Sequence, residues 1–378
     1  MQGELIKKYK NLLIIIIILI VIGVFVYIFL PRSNNEKRVI KDNISPPASD
    51  TAQNTETENI AKPIETSTPV YITIKKPVEP PLPEDTDRFV VTLKDTNENI
   101  ASNLFDGEYI TSKNSFVSLL GDKDDTNTIL SGAYRISKEM TDKQLLGVLK
   151  DKPYMKWVII PEGMRKEEIV KILGDALSWS AKQKNDWINK DTIEKPEYIE
   201  GVYFPDTYLI PIDESPKNVA NRLISKFNEN FSFYLPEFTA KNIKWTTALT
   251  LASIVQREAA NNADAPLIAG ILWNRLNQKI ALGVDATLQY IRGDTGNGWW
   301  APISLDDKKI DSTFNTYMYK GLPPRPISNP GISAIDAILN PTKTDCLYYI
   351  HDKNHITHCS ATYEEHLANI EKYLKNTE

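Results

Sequence analysis

The stretch ALTLASIVQREAA at residues 248–260 decides how the second half of this chain folds. Its apolar residues recur at helical spacing, which predicts a long buried helix. Within it, Leu251, Val255 and Glu258 are spaced i, i+4 and i+7, so they share one face. Desolvation on an apolar face raises the pKa of a carboxyl group, as a general acid near neutral pH requires. Glu258 is therefore a candidate catalytic acid, and the alternative is a boundary glutamate paired with Arg257 or another base.

Outward from this helix, the residue pattern indicates an α+β fold. Between residues 88 and 195, short alternating strands such as RFVVTLK at 88–94 are interleaved with short helical segments. Between 196 and 378 helical spacing dominates, and two short segments, Leu347–His351 and His355–Cys359, predict a β-hairpin. We therefore expect an α/β region at 88–195, followed by a helix-rich catalytic domain with a hairpin at 196–378.

The N-terminus carries an uncharged apolar run, LLIIIIILIVIGVFVYIFL, at residues 12–30. As a helix it would be about 28 Å long, close to the ~30 Å hydrocarbon core of a bilayer. A cleaved signal peptide has a shorter apolar run and a small-residue cleavage site. We expect residues 1–11 to be a cytoplasmic tail and residues 12–30 a single-pass transmembrane helix. The body would then lie on the extracytoplasmic (periplasmic) side of the inner (plasma) membrane.

Residues 31–87 differ in composition from the rest of the chain. They contain nine of the 23 prolines, many Ser, Thr, Asn and Glu residues, and one aromatic residue, Tyr71. Such a segment buries too little apolar surface to offset its ordering entropy. We expect a disordered linker that reaches roughly 45 Å r.m.s. as a coil.

Charge and motifs exclude several classes of protein. The net charge is −5, from 44 basic and 49 acidic residues, whereas a nucleic-acid-binding protein normally has a basic surplus. The P-loop, dinucleotide-binding, zincin and nucleophile-elbow motifs do not occur in the sequence. All four histidines lie near the two cysteines, Cys346 and Cys359, so a metal site is one hypothesis for this region. Counted about a turn at Asp352–Lys353, the cysteines face each other, so a disulfide and two free thiols are the alternatives.

Asp285, in ALGVDATLQYIRG, is a second carboxylate candidate. It precedes a predicted short helix, so a helix N-cap is the alternative. Other polar side chains are able to bind the hydroxyl and acetamide groups of sugars, although solvated surface is the alternative for each. The candidate substrate-binding residues are Asn274, Arg275, Asp285, Tyr290, Asn315 and Tyr317.

Six segments carry a family resemblance: EGVYFPDTYLIP (200–211), LASIVQREA (251–259), LWNRL (272–276), LGVDATLQY (282–290), FNTYMYKGLPPRPISNPG (314–331) and YEEH (363–366). In order and spacing they resemble the endolytic murein transglycosylases of the YceG-like (MltG) family. The N-terminal anchor agrees with that family too. The segment IPEGMRKEEIVKIL at 160–173 resembles the family's LysM-like subdomain.

The resemblance implies a membrane-anchored lytic transglycosylase that cuts the β-1,4 bond between N-acetylmuramic acid and N-acetylglucosamine in nascent strands. It would leave 1,6-anhydro ends and terminate strand elongation. The catalytic glutamate of the family maps to Glu258, and Gln256 stands at the family's first acidic position. No metal or organic cofactor is needed, because one carboxyl group can serve both proton transfers.

The expected partners are peptidoglycan glycan strands, the cell membrane and peptidoglycan synthases, with no nucleic acid among them. Two other functions stay open at this point. One is a non-catalytic peptidoglycan-binding or scaffold protein of the cell-wall synthesis machinery. The other is a hydrolytic muramidase with Asp285 as the second carboxylate.

Overall fold

The computed structural model describes residues 74, 76–120 and 129–375. Within these residues the strands are β1 (Asp87–Val91), β2 (Gly132–Ile136), β3 (Met155–Ile159), β4 (Thr207–Pro211), β5 (Tyr348–His351) and β6 (Thr357–Ser360). The α-helices of the same residues are α1 (Asn97–Asp106), α2 (Lys113–Leu120), α3 (Asp142–Lys150), α4 (Lys166–Leu177), α5 (Ala181–Asp186), α6 (Pro216–Phe231), α7 (Leu235–Ala240), α8 (Trp245–Glu258), α9 (Ala265–Asn277), α10 (Asp285–Arg292), α11 (Ile332–Leu339) and α12 (Tyr363–Ile370).

The first four strands form one antiparallel sheet in the order β1-β2-β3-β4. At one end of it, β1 and β2 pack with α1, α2 and α3 around a core that includes Phe89, Leu104 and Leu145. At the other end, β3 and β4 contribute Val158 and Ile210 to a second, larger core. The predicted domain boundary after residue 195 stays a prediction, and the sheet continues across it because β4 lies beyond it.

The helix that the sequence indicates at 248–260 is α8, and it lies in the larger core. Every residue from Ala248 to Val255 is buried, because α9, α10 and α11 pack around the helix. Fully burying an aliphatic side chain such as Leu251 contributes about 1.5–3 kcal/mol relative to leaving it exposed. The helix ends at Glu258, since Ala259 has an extended backbone. The rigid core therefore fixes the position of this carboxyl group.

The expected α+β class, with a helix-rich body, small antiparallel sheets and a β-hairpin, is confirmed. The predicted membrane span at 12–30 lies outside the described residues, as do residues 1–11 and most of the predicted linker. In the described part of the chain, no helix has both the length and the apolar character to cross a bilayer. At the end of the predicted linker, Ile74 packs against the larger core and Glu79 pairs with Arg88.

Candidate active site

Glu258 is the last residue of α8, and two donors from other elements hold its carboxyl group. The Tyr349 hydroxyl on β5 donates a hydrogen bond to Oε2 at 2.6 Å. The backbone N–H of Ala286, in the first turn of α10, donates another. The free N–H groups at a helix N-terminus carry partial positive charge, so they stabilise a carboxylate. Glu258 is half-buried, which leaves it accessible to a ligand yet partly desolvated.

The pKa of Glu258 is raised above its ordinary value, chiefly because burial penalises the charged form. The negative charge of Asp285 raises this pKa further, whereas the hydrogen bonds from Tyr349 and Ala286 and the charge of Arg257 lower it. The net upward direction extends the pH range in which Glu258 carries a proton. This is the electrostatic condition for a general acid.

Asp285 is the first residue of α10, and its side chain is exposed. Its carboxylate accepts a hydrogen bond from the Tyr317 hydroxyl. The N-cap interpretation is wrong, because Val284 occupies that position and α10 has no side-chain cap. Glu258, Asp285 and Tyr317, all candidates from the sequence, thus meet at the start of α10.

Asn274 and Arg275, in the last turn of α9, donate to backbone carbonyls of this protein. The Asn274 amide donates to the carbonyl of Cys346 at 3.1 Å. The Arg275 guanidinium donates to the carbonyls of Leu347 and Leu282, both at 2.5 Å. These two side chains therefore fix the start of the hairpin and the loop before α10. Their predicted contacts with substrate stay predictions.

Asn315 and Tyr290 are buried, and their predicted contacts with substrate stay predictions. Asn315 is 0% exposed; its amide donates to two backbone carbonyls, and its Oδ1 accepts from the N–H of Tyr317 at 3.0 Å. It therefore positions Tyr317 from inside the loop. Tyr290 lies farther along α10, with the Arg165 guanidinium 4.4 Å above its ring.

The neighbours of Glu258 on α8 have structural roles. Gln256 accepts a hydrogen bond from the N–H of Gly331 at 2.9 Å and so ties α8 to the N-cap of α11. The Arg257 guanidinium stacks on the Trp300 ring at 3.9 Å. In the described part of the chain Arg257 forms no ion pair with Glu258, so the interpretation of Glu258 as its boundary partner is wrong.

The hairpin that carries Tyr349 is closed by a disulfide between Cys346 and Cys359, with a Cα–Cα distance of 5.8 Å. The alternative of two free thiols is therefore wrong. The turn predicted at 352–353 is wrong as well, because Tyr349 pairs with Cys359 and the turn centres on Asn354. Cys346 precedes β5 and reaches Cys359 diagonally. Helix α12 packs against both strands of the hairpin.

A Tyr349→Phe variant should shift the alkaline limb of the kcat/KM profile to higher pH. The Tyr349 hydroxyl stabilises ionised Glu258, so its removal raises the pKa of Glu258 further. A step that needs protonated Glu258 is lost as pH rises through that pKa. With a higher pKa in the variant, this loss of activity occurs at higher pH. Tyr348→Phe, one residue away on β5, is the matched control. An unchanged limb in Tyr349→Phe would contradict the role of this hydrogen bond.

Three comparisons with known proteins agree with one another. A family model described as the YceG-like family matches residues 89–372. An endolytic murein transglycosylase of Streptococcus pneumoniae is 28% identical over 287 residues, which cover 65% of this chain and 51% of that protein. One of Bacillus subtilis is 30% identical over 271 residues, which cover 65% of this chain and 73% of that protein.

A crystal structure of a YceG-like protein from Listeria monocytogenes is similar as well. It aligns with a TM-score of 0.55 at 25% identity and covers 76% of this chain and 99% of that chain. This chain spans about half the length of the Streptococcus pneumoniae relative. The helical body and the hairpin described above both lie within the residues matched by the family model.

Proposed function

The chain belongs to the YceG-like family, and on that premise we propose that it is an endolytic lytic transglycosylase of peptidoglycan. It would cleave the β-1,4 bond between N-acetylmuramic acid and N-acetylglucosamine inside a glycan strand. The observation that carries the proposal is the Glu258 carboxyl group, half-buried, with a raised pKa, and held by a hydroxyl and a helix-terminal amide. The name endolytic murein transglycosylase, borne by two relatives, supports it.

In this mechanism Glu258 acts twice. Protonated Glu258 donates its proton to the leaving O4 of N-acetylglucosamine while the C1–O4 bond breaks. The acetamide of the muramic acid stabilises the oxocarbenium-like centre at C1. Ionised Glu258 then accepts the proton of the O6 hydroxyl as O6 bonds to C1 and closes the 1,6-anhydro ring. Glu258 ends protonated and no water is consumed, so one carboxyl group suffices.

The donors around Glu258 match the charge that this sequence of steps creates. The carboxylate exists only between the two proton transfers. The Tyr349 hydroxyl and the Ala286 N–H are already in place to stabilise it during that interval. Donors that are fixed beforehand stabilise a developing charge without reorganisation. The negative charge of Asp285 has the opposite effect and favours return of the proton.

Asp285 favours one second candidate, a hydrolytic muramidase. Its exposed carboxylate lies close enough to Glu258 to raise the pKa of that group. Most glycoside hydrolases use two catalytic carboxyl groups that flank the scissile bond. In that reaction water attacks C1, and the product has a reducing end rather than an anhydro ring.

Mass spectrometry of the products of purified glycan strands tests both functions. We expect the full-length protein to give anhydro ends, lighter by one water than reducing ends. Asp285→Asn should still give anhydro ends. Its loss of the negative charge beside Glu258 lowers the pKa of Glu258, so the alkaline limb of the kcat/KM profile should move to lower pH. Reducing ends that disappear in Asp285→Asn would establish the muramidase instead. A folded protein that binds strands without cleaving them would establish the scaffold.

The proposal extends to the setting of the enzyme. Residues 12–30 would anchor it in the plasma membrane, and the predicted linker would tether the body on the extracytoplasmic side as far as Ile74, where the chain packs against the larger core. The uncharged apolar run and the proline-rich composition of the next segment support this arrangement. The region 88–195, which resembles a LysM-like subdomain, would face the glycan. An enzyme held there would cut strands as synthases produce them and so terminate their elongation.

An exported soluble form that lacks residues 1–30 should cleave isolated strands at an unchanged rate. In cells it should give longer glycan strands than the anchored form, because the local concentration supplied by tethering is lost. Chromatography of strand lengths, at matched protein levels, measures this effect. Equal lengths for the two forms would show that anchoring is incidental to the reaction.

A further inference from the structure

Arg325 is a cation without an anionic partner in the loop that precedes α11. Its Nε is buried without an acceptor, and within the described residues its guanidinium forms no hydrogen bond or ion pair. Its guanidinium carbon lies 5.1 Å from the centroid of the Phe314 ring. A buried donor without an acceptor costs about 1–3 kcal/mol, more for a charged group. The position therefore needs an explanation.

The backbone that carries Arg325 is held firmly. Pro324 and Pro326 flank it, and a residue before proline is restricted to extended conformations. Pro326 packs so closely on Gly201 that a Cβ added there would lie 2.7 Å from the proline ring. Gly201 also has a φ of +91°, which disfavours other residues. The backbone position of Arg325 is therefore fixed.

Arg325 lines two cavities. The larger, of about 550 Å³, is lined by the charged residues Arg165, Lys166 and Glu167 and by the rings of Tyr290 and Phe314. The smaller, of about 300 Å³, is also lined by Arg325 and includes Glu197 and Trp245. Glu197 is exposed, and in the described structure it forms no ion pair with Arg325.

The charges around the larger cavity do not balance. Arg165 pairs with Glu167 at 2.6 Å, so these two cancel. Glu200 is fully buried, and burial raises the pKa of its carboxyl group; it accepts hydrogen bonds from the backbone N–H of Lys166 and the amide of Asn329 and forms no ion pair with Arg325 within the described residues. The Lys166 ammonium donates only to neutral oxygens, one of them a backbone carbonyl at 3.0 Å. Arg325 is thus an uncompensated positive charge that faces an open cavity.

We infer that the larger cavity binds a carboxylate on the lactyl arm of N-acetylmuramic acid, with Arg325 as its principal partner. A planar guanidinium binds a carboxylate through two parallel hydrogen bonds. The carboxylate belongs either to the peptide carried by that arm or to the lactyl group itself. The identity of the glycan rests on the proposed function.

The position of the cavity relative to Glu258 fits a single strand that occupies both. Tyr290, in the cavity wall, lies on α10 roughly 7.5 Å in helical rise from Asp285. The loop that supplies Tyr317 to Asp285 also supplies Phe314 and Arg325 to the cavity. A sugar at Glu258 and the side arm of a muramic acid nearby would therefore contact the same two elements.

Binding of three oligosaccharides of equal length to the full-length protein tests the inference. They are a strand fragment with peptides, the same fragment after an amidase has removed the peptides, and an oligomer of N-acetylglucosamine, which has no carboxylate. Arg325→Gln should weaken binding of carboxylate-bearing ligands about tenfold to hundredfold and leave the neutral oligomer unchanged. A loss confined to the first ligand assigns the peptide carboxylate. A loss confined to the amidase-treated ligand, in which the lactyl carboxyl group is no longer part of an amide, assigns the lactyl group.

A second variant should change the affinity for anionic ligands in the opposite direction. Glu167→Gln removes the carboxylate of the larger cavity and should tighten binding of the same anionic ligands severalfold. Lys143→Gln, which removes an exposed positive charge on α3, should change nothing. Equal effects of Arg325→Gln on all three ligands, or no effect on any, would overturn the inference.

Cleavage of the peptide-bearing strand by the unsubstituted protein is measured in parallel. Selective binding without cleavage would reject the transglycosylase and keep the carboxylate site. Cleavage by the unsubstituted protein, with no selective loss of binding in Arg325→Gln, would support the transglycosylase function and contradict the carboxylate site at Arg325.

Discussion

The Glu258→Gln variant should lose strand cleavage by about 10²–10⁴-fold or more, the range expected for a missing acid–base group. Glutamine is nearly isosteric with glutamate, but it can neither donate a proton to the leaving oxygen nor accept one from O6. It still fits beside the Tyr349 hydroxyl and the Ala286 N–H. The fold and the affinity for strands should therefore persist. Cleavage rates and strand binding, measured on the same preparation, give the two readouts.

Glu237→Gln is a matched control for this variant. Glu237 is exposed on α7, so the substitution removes a carboxylate without touching the site. Its cleavage rate should equal that of the unsubstituted protein. If Glu258→Gln retained activity while folded, the proton donor would lie elsewhere, and Asp285 would be the next group to test. An unfolded Glu258→Gln protein would show instead that the carboxyl group is needed for stability.

Glu258 could be found from the sequence because helical periodicity is a local property. The spacing of Leu251, Val255 and Glu258 places them on one face whatever surrounds the helix. Tyr349 could not be found in this way, since it lies 91 residues from Glu258 and an aromatic residue in a strand usually indicates packing. The Ala286 N–H has no sequence signal at all, because it belongs to the backbone.

The polar candidates show a second limit of sequence reasoning. Asn274, Arg275 and Asn315 were candidates because amide and guanidinium groups bind sugars, but backbone carbonyls are equally good acceptors for them. Which acceptor they meet depends on how α9, the hairpin and the loop before Tyr317 pack together. In the folded protein all three hold backbone segments that carry the site.

The register of the hairpin was beyond local counting for a related reason. A turn at 352–353 would have placed the cysteines directly opposite each other. The turn instead takes in His355, which has a left-handed backbone with φ of 59°. This lengthens the loop and moves Tyr349 opposite Cys359. The sequence leaves the disulfide open as one alternative, and the bridge forms because the two thiols still lie on the same short hairpin.

Replacing both cysteines, Cys346→Ser with Cys359→Ser, should lower the free energy of unfolding by about 3 kcal/mol. This is the loop-closure value for a bridge across a segment of about 15 residues, close to the sequence separation of 13 found here. Urea denaturation measures the change. Intact mass before and after alkylation, on protein from its native compartment, should first show no free thiol. Two alkylated thiols, or an unchanged free energy of unfolding, would contradict the structural role of the bridge.

The activity of the same variant depends on what else holds the hairpin. The bridge fixes the chain at Cys346, and the Asn274 amide binds the carbonyl of that same residue. Both restraints therefore fix the entry to β5, and with it the Tyr349 hydroxyl at Glu258. Restraints on one segment are not independent, so Asn274→Ala should reduce kcat more in the bridge-free protein than in the bridged one. Equal reductions in the two backgrounds would show that the hairpin is positioned by other contacts, such as those with α12.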